Sequence, residues 1–189
     1  MIEYIPGLAG VPATESSISS IDGEKGILAY RGYPIDELVE RSSFEEVAML
    51  LLDGELPSKH KLEEFKNILH VRYEVKRDIR SMMWAIPCSG HSMDVLQTTI
   101  SAMATFYPDA GAADPDSDYT QNALVKIISN MSTLVAMWAR ISRGYDPIPP
   151  STNMSYAENF LYMSFGKTPT EELVKLFDAC LILHAEHTI

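Results

Sequence analysis

Apolar side chains that recur every three or four residues constrain the fold of this chain more than any other feature. The pattern begins near Ile35 and returns in successive segments to the end of the sequence. A period of 3.6 residues places such side chains on one face of an α-helix. Because a wide apolar stripe contacts more than one neighbour, we predict an all-α fold of several packed helices. The widest stripe lies between residues 118 and 144 and comprises Leu124, Ile127, Ile128, Met131, Leu134, Val135, Trp138 and Ile141.

Local signals indicate where some of these helices begin and end. Ser43-Phe44-Glu45-Glu46 has the spelling of a capping box, and Gly54 follows ten residues later as a stop signal. Thr168-Pro169-Thr170-Glu171 predicts a further N-terminus, with Thr168 as the N-cap and Pro169 in the first turn.

The first 35 residues differ from the rest of the chain. Two short apolar-bearing runs, residues 18–21 and 27–30, flank the Gly-containing turn at 22–26. This pattern predicts a small β-hairpin, and no third strand signal follows it. We therefore divide the chain into a hairpin segment, residues 1–35, and a helical segment, residues 36–189. Because the last helical pattern reaches Ile189 without a stop signal, we expect a truncated chain.

Charge and composition exclude several classes of function. Fifteen Lys and Arg against 26 Asp and Glu give a net charge of −11, which disfavours binding to nucleic acid or to anionic lipid. The longest wholly apolar run, Val47 to Leu52, is too short to cross a bilayer. The N-terminus lacks the pattern of a secretory signal, and Cys88 and Cys180 are too few for a disulfide framework. We expect a cytoplasmic protein.

The densest cluster of titratable side chains is His184-Ala185-Glu186-His187. Residues three apart on a helix share a face, so both imidazoles could line one cleft and bind a substrate carbonyl. The alternative is a helix end at which histidine interacts with the C-terminal dipole. Spacing alone favours this second interpretation.

Three other patterns carry weaker chemical signals. Cys88 with His91, and Cys180 with His184, resemble two half-sites for zinc, but each pair lies among apolar residues and we predict no metal site. Asp114, Asp116 and Asp118 alternate as in a calcium loop, which would need Gly where Tyr119 stands and Glu where Val125 stands. Residues 59–80 carry seven basic and four acidic side chains, which fits either a phosphate-bearing ligand or two solvated helix faces.

Several spaced motifs together resemble citrate synthases. The similarity runs in order along all 189 residues, and it covers about the first half of a typical family member. Glu186 stands where the family more often has Asp. The motifs are residues 7–11, 21–23, 28–35, 44–57, 91–98, 159–163 and 181–187.

The resemblance implies a helical, two-lobed dimer that condenses acetyl-CoA with oxaloacetate and releases citrate and CoA. In this family the second histidine of the motif, here His187, hydrogen-bonds the oxaloacetate carbonyl, and His184 is a weaker candidate for orienting that site. The catalytic Asp, the enol-stabilising His and most CoA contacts belong to the other half of the family chain. The resemblance therefore implies no catalytic residue and no metal within this chain, no cofactor beyond acetyl-CoA as co-substrate, and no activity of this chain alone.

Two alternatives remain open from the sequence. A 2-methylcitrate synthase has the same fold and accepts propionyl-CoA. A non-catalytic helical module could instead assemble through its apolar faces, and assembly beyond a dimer is possible in either case. Family members pair through antiparallel helices, and we expect residues 91–107 and 119–144 to form the dimer interface because their apolar faces exceed what one small lobe needs. The alternative is that these faces pack against the other half of the family chain.

Overall fold

The computed structural model describes residues 15–106 and 118–186, and most of these residues are helical. In these two ranges the elements are the strands β1 Ser19–Asp22, β2 Ile27–Tyr30 and β3 Tyr33–Pro34, and the helices α1 Ile35–Arg41, α2 Phe44–Asp53, α3 Lys59–Arg72, α4 Arg77–Ala85, α5 Ser92–Ala104, α6 Asp118–Ile141, α7 Tyr156–Phe165 and α8 Glu171–Leu183. The predicted all-α class with a small β-element at the N-terminal end is confirmed.

The small sheet contains one strand more than the sequence indicated. β1 and β2 form the predicted antiparallel hairpin, in which Ser19 lies opposite Tyr30. β3 pairs with the other edge of β2, so the expectation that no third strand follows was wrong. Arg31 and Gly32 have φ values of 47° and 86°, and this tight turn leads into a strand of only two residues. Two residues are too few to show an alternating pattern.

Helix α2 has the predicted ends. The Ser43 hydroxyl accepts a hydrogen bond from the Glu46 amide at 3.4 Å, and the Glu46 carboxylate accepts one from the Ser43 amide at 2.8 Å. Gly54 closes the helix with a φ of 87°, a conformation that most other residues avoid.

Helix α8 begins two residues later than predicted. Thr170, and not Thr168, is the N-cap, and its hydroxyl accepts a hydrogen bond from the Leu173 amide at 3.4 Å. Both threonines offer the same capping group, so the threonine signal alone does not separate them. Capping by Thr170 places Glu171 and Glu172 in the first turn, where the helix dipole favours negative charge.

The long helix α6 packs against α3, α4, α5 and α7, as its wide apolar stripe predicts. Its Leu134 is fully buried in a core shared with Met83 of α4 and Val95 of α5. In the part of the chain that the structure describes, residues 122–141 alone have the length and apolar composition to cross a membrane. Half of that segment is buried by its neighbours, as in the core helix of many soluble proteins.

A separate core fixes the C-terminal end of α8 against the sheet. Tyr30 of β2, Leu38 of α1, Val47 and Leu50 of α2, and Ile182 of α8 are buried together. Through this core the hairpin segment supports the end of α8, whose last residue, Leu183, follows Tyr30 by 153 positions in the sequence.

Candidate functional site

The histidine motif lies at the C-terminal end of α8. His184 is the C-cap residue and is exposed, whereas His187 lies outside the described residues. The Nδ1 atom of His184 lies 2.7 Å from the carbonyl oxygen of Cys180. A carbonyl can only accept a hydrogen bond, so Nδ1 carries the proton and is the hydrogen-bond donor.

This hydrogen bond determines what His184 can offer a ligand. With the proton on Nδ1, the Nε2 atom of a neutral imidazole is an acceptor and cannot donate to a ketone oxygen. Only the protonated ring could donate from Nε2. His184 can therefore accept from a ligand or orient the turn, and a neutral donor for a carbonyl must come from another residue.

The turn that follows α8 is tied to the hairpin by Tyr30. The Tyr30 hydroxyl lies 3.3 Å from the carbonyl oxygen of Leu183 and 3.4 Å from that of Glu186. Burial raises the pKa of this phenol, so the hydroxyl keeps its proton and acts as a donor. Sequence analysis missed this contact because nothing in the local pattern around Tyr30 refers to the end of α8.

A second contact anchors the middle of α8 to α2. Both carboxylate oxygens of Asp178 lie 3.2 Å from the amide nitrogen of Phe44. Burial raises the pKa of Asp178 to about 6, the negative charges of Glu45 and Glu46 add to the rise, and the Phe44 hydrogen bond and Lys66 oppose it. No local pattern in the sequence indicates this role.

The shifted pKa of Asp178 predicts a defined pH dependence of stability. The carboxyl ionises near its usual 3.8 in an unfolded chain and near 6 in the fold. Because the fold binds the proton more tightly, the contribution of Asp178 to the free energy of unfolding is fully present below pH 3.8. This contribution is lost as the pH rises through about 6. Asp178→Asn keeps an acceptor for the Phe44 amide without the charge. We expect the free energy of unfolding of Asp178→Asn, relative to that of the unsubstituted protein, to rise by about 1–2 kcal/mol between about pH 4 and pH 7. This value includes a discount for the partial exposure of Asp178.

Urea unfolding at several pH values measures this difference directly. Asp53→Asn, at an exposed position at the end of α2, is the matched control and should show no such rise. A stability difference for Asp178→Asn that stays constant over this pH range would contradict the raised pKa.

Where the structure describes them, the residues of the weaker chemical patterns do not come together in a metal site. Among the described residues, no three His, Cys, Asp or Glu side chains come close enough together to hold a metal ion. Cys88 donates to the carbonyl of Ile141, at an S–O distance of 3.6 Å. Asp114 and Asp116 lie outside the described residues, and Asp118 begins α6.

The basic segment at residues 59–80 contains all of α3 and the first part of α4. On α3, Lys66 pairs with Glu63 at 3.8 Å and Lys61 with Glu55 at 3.4 Å. Arg72 donates to the backbone carbonyl and the side chain of Asn122 at the start of α6. These contacts favour the interpretation as solvated helix faces.

Comparison with known proteins identifies the family. Residues 7–189 match the family model described as "Citrate synthase, C-terminal domain". The chain belongs to the citrate synthase family. This confirms the resemblance that the spaced motifs indicated.

Individual relatives agree with this assignment. The "Citrate synthase" of Acidithiobacillus ferridurans is 47% identical in an alignment 189 positions long, which covers 98% of this chain and 49% of the relative. The "2-methylcitrate synthase" of Mycobacterium tuberculosis is 38% identical, over 96% of this chain and 45% of the relative. The crystal structure of citrate synthase from Thermotoga maritima superposes with a TM-score of 0.84 at 34% identity, covering 97% of this chain and 47% of that one. The chain thus spans about half the length of these citrate synthase relatives.

Proposed function

We propose that this chain is part of a citrate synthase, which condenses acetyl-CoA with oxaloacetate and water to give citrate and CoA. The observation that carries the proposal is the 47% identity, along 98% of the chain, to a relative named citrate synthase. The enzyme would be an acyltransferase of the tricarboxylic acid cycle that uses acetyl-CoA as co-substrate and needs no other cofactor. A cytoplasmic location agrees with the acidic composition and the absence of a disulfide framework.

The histidine motif would bind oxaloacetate. We assign to His187 the role of hydrogen-bond donor to the ketone oxygen. A donor aimed at this oxygen polarises the ketone and stabilises the alkoxide formed in the condensation. His184 would orient the site. The hydrogen bond that its Nδ1–H group donates to the Cys180 carbonyl supports this role. The Asp that removes a proton from the acetyl methyl group, and the His that stabilises the enol, would lie outside these 189 residues.

A homodimer is part of the proposal. Met93 on α5, and Leu124 and Ile127 on α6, are exposed apolar side chains on the two segments expected to form the dimer interface. Apolar surface left exposed on a chain that spans half of its relatives can also be covered by the remainder of the protein.

Release of free CoA thiol tests the proposed reaction. The protein expressed from its whole reading frame should release thiol when acetyl-CoA and oxaloacetate are both present, and should release none when either is omitted. The chain of 189 residues alone should show no turnover. Turnover by this chain at the rate of the whole protein would contradict the placement of the acid–base residues outside it.

The 2-methylcitrate synthase reaction is the second candidate, and it is favoured by the relative of that name with 38% identity. Comparing kcat/KM for acetyl-CoA and propionyl-CoA distinguishes the two enzymes. Failure of both thioesters, combined with large particles that form with rising concentration, would instead favour the non-catalytic assembly module.

A further inference from the structure

We propose that Tyr30 is a positioning residue for the keto-acid site, because its hydroxyl fixes the turn that carries the histidine motif. This inference rests on the proposed function, in which the motif binds oxaloacetate. Tyr30 would touch neither substrate nor reacting atoms and would act through the backbone of residues 183–186.

The contact is made where a helix end needs donors. The last carbonyl groups of a helix have no partner within the helix and depend on caps, solvent or other side chains. Tyr30 supplies one O–H that reaches the carbonyl of Leu183, the last residue of α8, and that of Glu186, three residues on. One proton shared by two acceptors at 3.3 and 3.4 Å bridges the whole turn.

One of the two carbonyl groups that Tyr30 contacts, that of Glu186, directly precedes His187 in the sequence. The carbonyl of Glu186 belongs to the peptide unit that joins Glu186 to His187, and such a unit is planar. A hydrogen bond to this oxygen therefore restrains the described turn as far as Glu186, the residue that precedes His187 in the sequence. Misplacement of a binding group by about 1 Å can cost a large factor in rate, so this restraint bears on function.

The Tyr30 ring is itself held rigidly. Its residue pairs with Ser19 on one side and Tyr33 on the other, in the middle strand of the sheet. The side chain is fully buried in the core that includes Leu38 and Ile182. A buried ring has few rotamers available, so packing in this core defines the position of its hydroxyl.

A matched control separates positioning from mere stabilisation. The Tyr156 hydroxyl also donates to a backbone carbonyl, that of Ile128, at 2.7 Å, and Tyr156 is buried too. Tyr30→Phe and Tyr156→Phe each remove one oxygen atom and leave the ring in place. Both should lower the midpoint of thermal unfolding, whereas only one of them alters the restraint on the histidine motif.

The test uses the protein expressed from its whole reading frame. It measures KM for oxaloacetate, KM for acetyl-CoA, and oxaloacetate binding by calorimetry. We expect Tyr30→Phe to raise the KM and the Kd for oxaloacetate by roughly five- to tenfold, as for the loss of one hydrogen bond. The KM for acetyl-CoA should stay within about twofold, and Tyr156→Phe should leave the oxaloacetate constants unchanged.

Three outcomes would overturn the inference, and they are distinguished by His187→Ala, by Tyr156→Phe and by the unsubstituted protein, respectively. If His187→Ala weakens oxaloacetate binding and Tyr30→Phe does not, the positioning role is wrong and the proposed site stands. If Tyr30→Phe and Tyr156→Phe shift the oxaloacetate constants equally, Tyr30 acts only through stability. If the unsubstituted protein releases no thiol from acetyl-CoA and oxaloacetate, the proposed function fails and the inference fails with it.

Discussion

Replacing His187 with alanine is expected to lower kcat/KM for oxaloacetate by about 100-fold, or about 2.7 kcal/mol of transition-state stabilisation. The expected loss is this large because a donor to the ketone is most useful when negative charge develops on that oxygen. Steady-state kinetics of the protein from its whole reading frame, with oxaloacetate as the varied substrate, measure the effect. The affinity for oxaloacetate should fall as well, because the proposed hydrogen bond would also hold the substrate in the ground state.

The geometry of His184 explains why the larger effect is expected at His187. The Nδ1–H group of His184 already donates a hydrogen bond to the Cys180 carbonyl. The neutral ring therefore has no second N–H group with which to donate. His184→Ala should therefore cost less, roughly tenfold, through loosening of the turn. His187→Gln keeps an N–H donor on a side chain of similar length and should recover part of the loss.

His60 provides a control for the loss of a histidine as such. It is exposed on α3 and contacts Glu64 at 3.3 Å, far along the chain from the motif. His60→Ala should leave kcat and both KM values unchanged. If His187→Ala likewise leaves the rate and the oxaloacetate affinity unchanged, the keto-acid pocket does not lie at this motif.

The elements that sequence predicted well are those specified by neighbouring residues. The capping box at Ser43 and the stop at Gly54 both lie within or next to α2, so the ends of that helix could be read locally. The wide stripe of α6 predicted several neighbours, although it could not say which helices they are.

The features that sequence could not predict depend on distant partners. Tyr30 and Glu186 are separated by 156 positions, and Phe44 and Asp178 by 134. Nothing in a local pattern indicates such a pair, because the contact exists only after the hairpin and α2 have packed against α8. Glu45 shows the same limit: the capping-box motif around it does not indicate burial, yet it is buried and accepts a hydrogen bond from the Tyr156 amide at 2.9 Å.

Leu134→Ala is expected to lower the free energy of unfolding by about 3–4 kcal/mol. Leu134 is fully buried near the centre of the core formed by α4, α5 and α6, where Met83 is fully buried too. Truncation loses the transfer free energy of the side chain and leaves a cavity that three packed helices cannot fully close. Because this burial is complete within the described residues alone, further protein packed around the chain cannot reduce it. Urea unfolding measures the change.

Leu134→Met is the matched control for this core position. Methionine nearly conserves the volume and stays apolar, so its cost should remain below about 1.5 kcal/mol. The difference between the two substitutions isolates the cavity from any effect of altering α6 itself, since alanine is the better helix former of the two. A cost below about 1 kcal/mol for Leu134→Ala would mean that α6 does not form the centre of this core, because no fully buried leucine can be truncated so cheaply unless its neighbours collapse into the space.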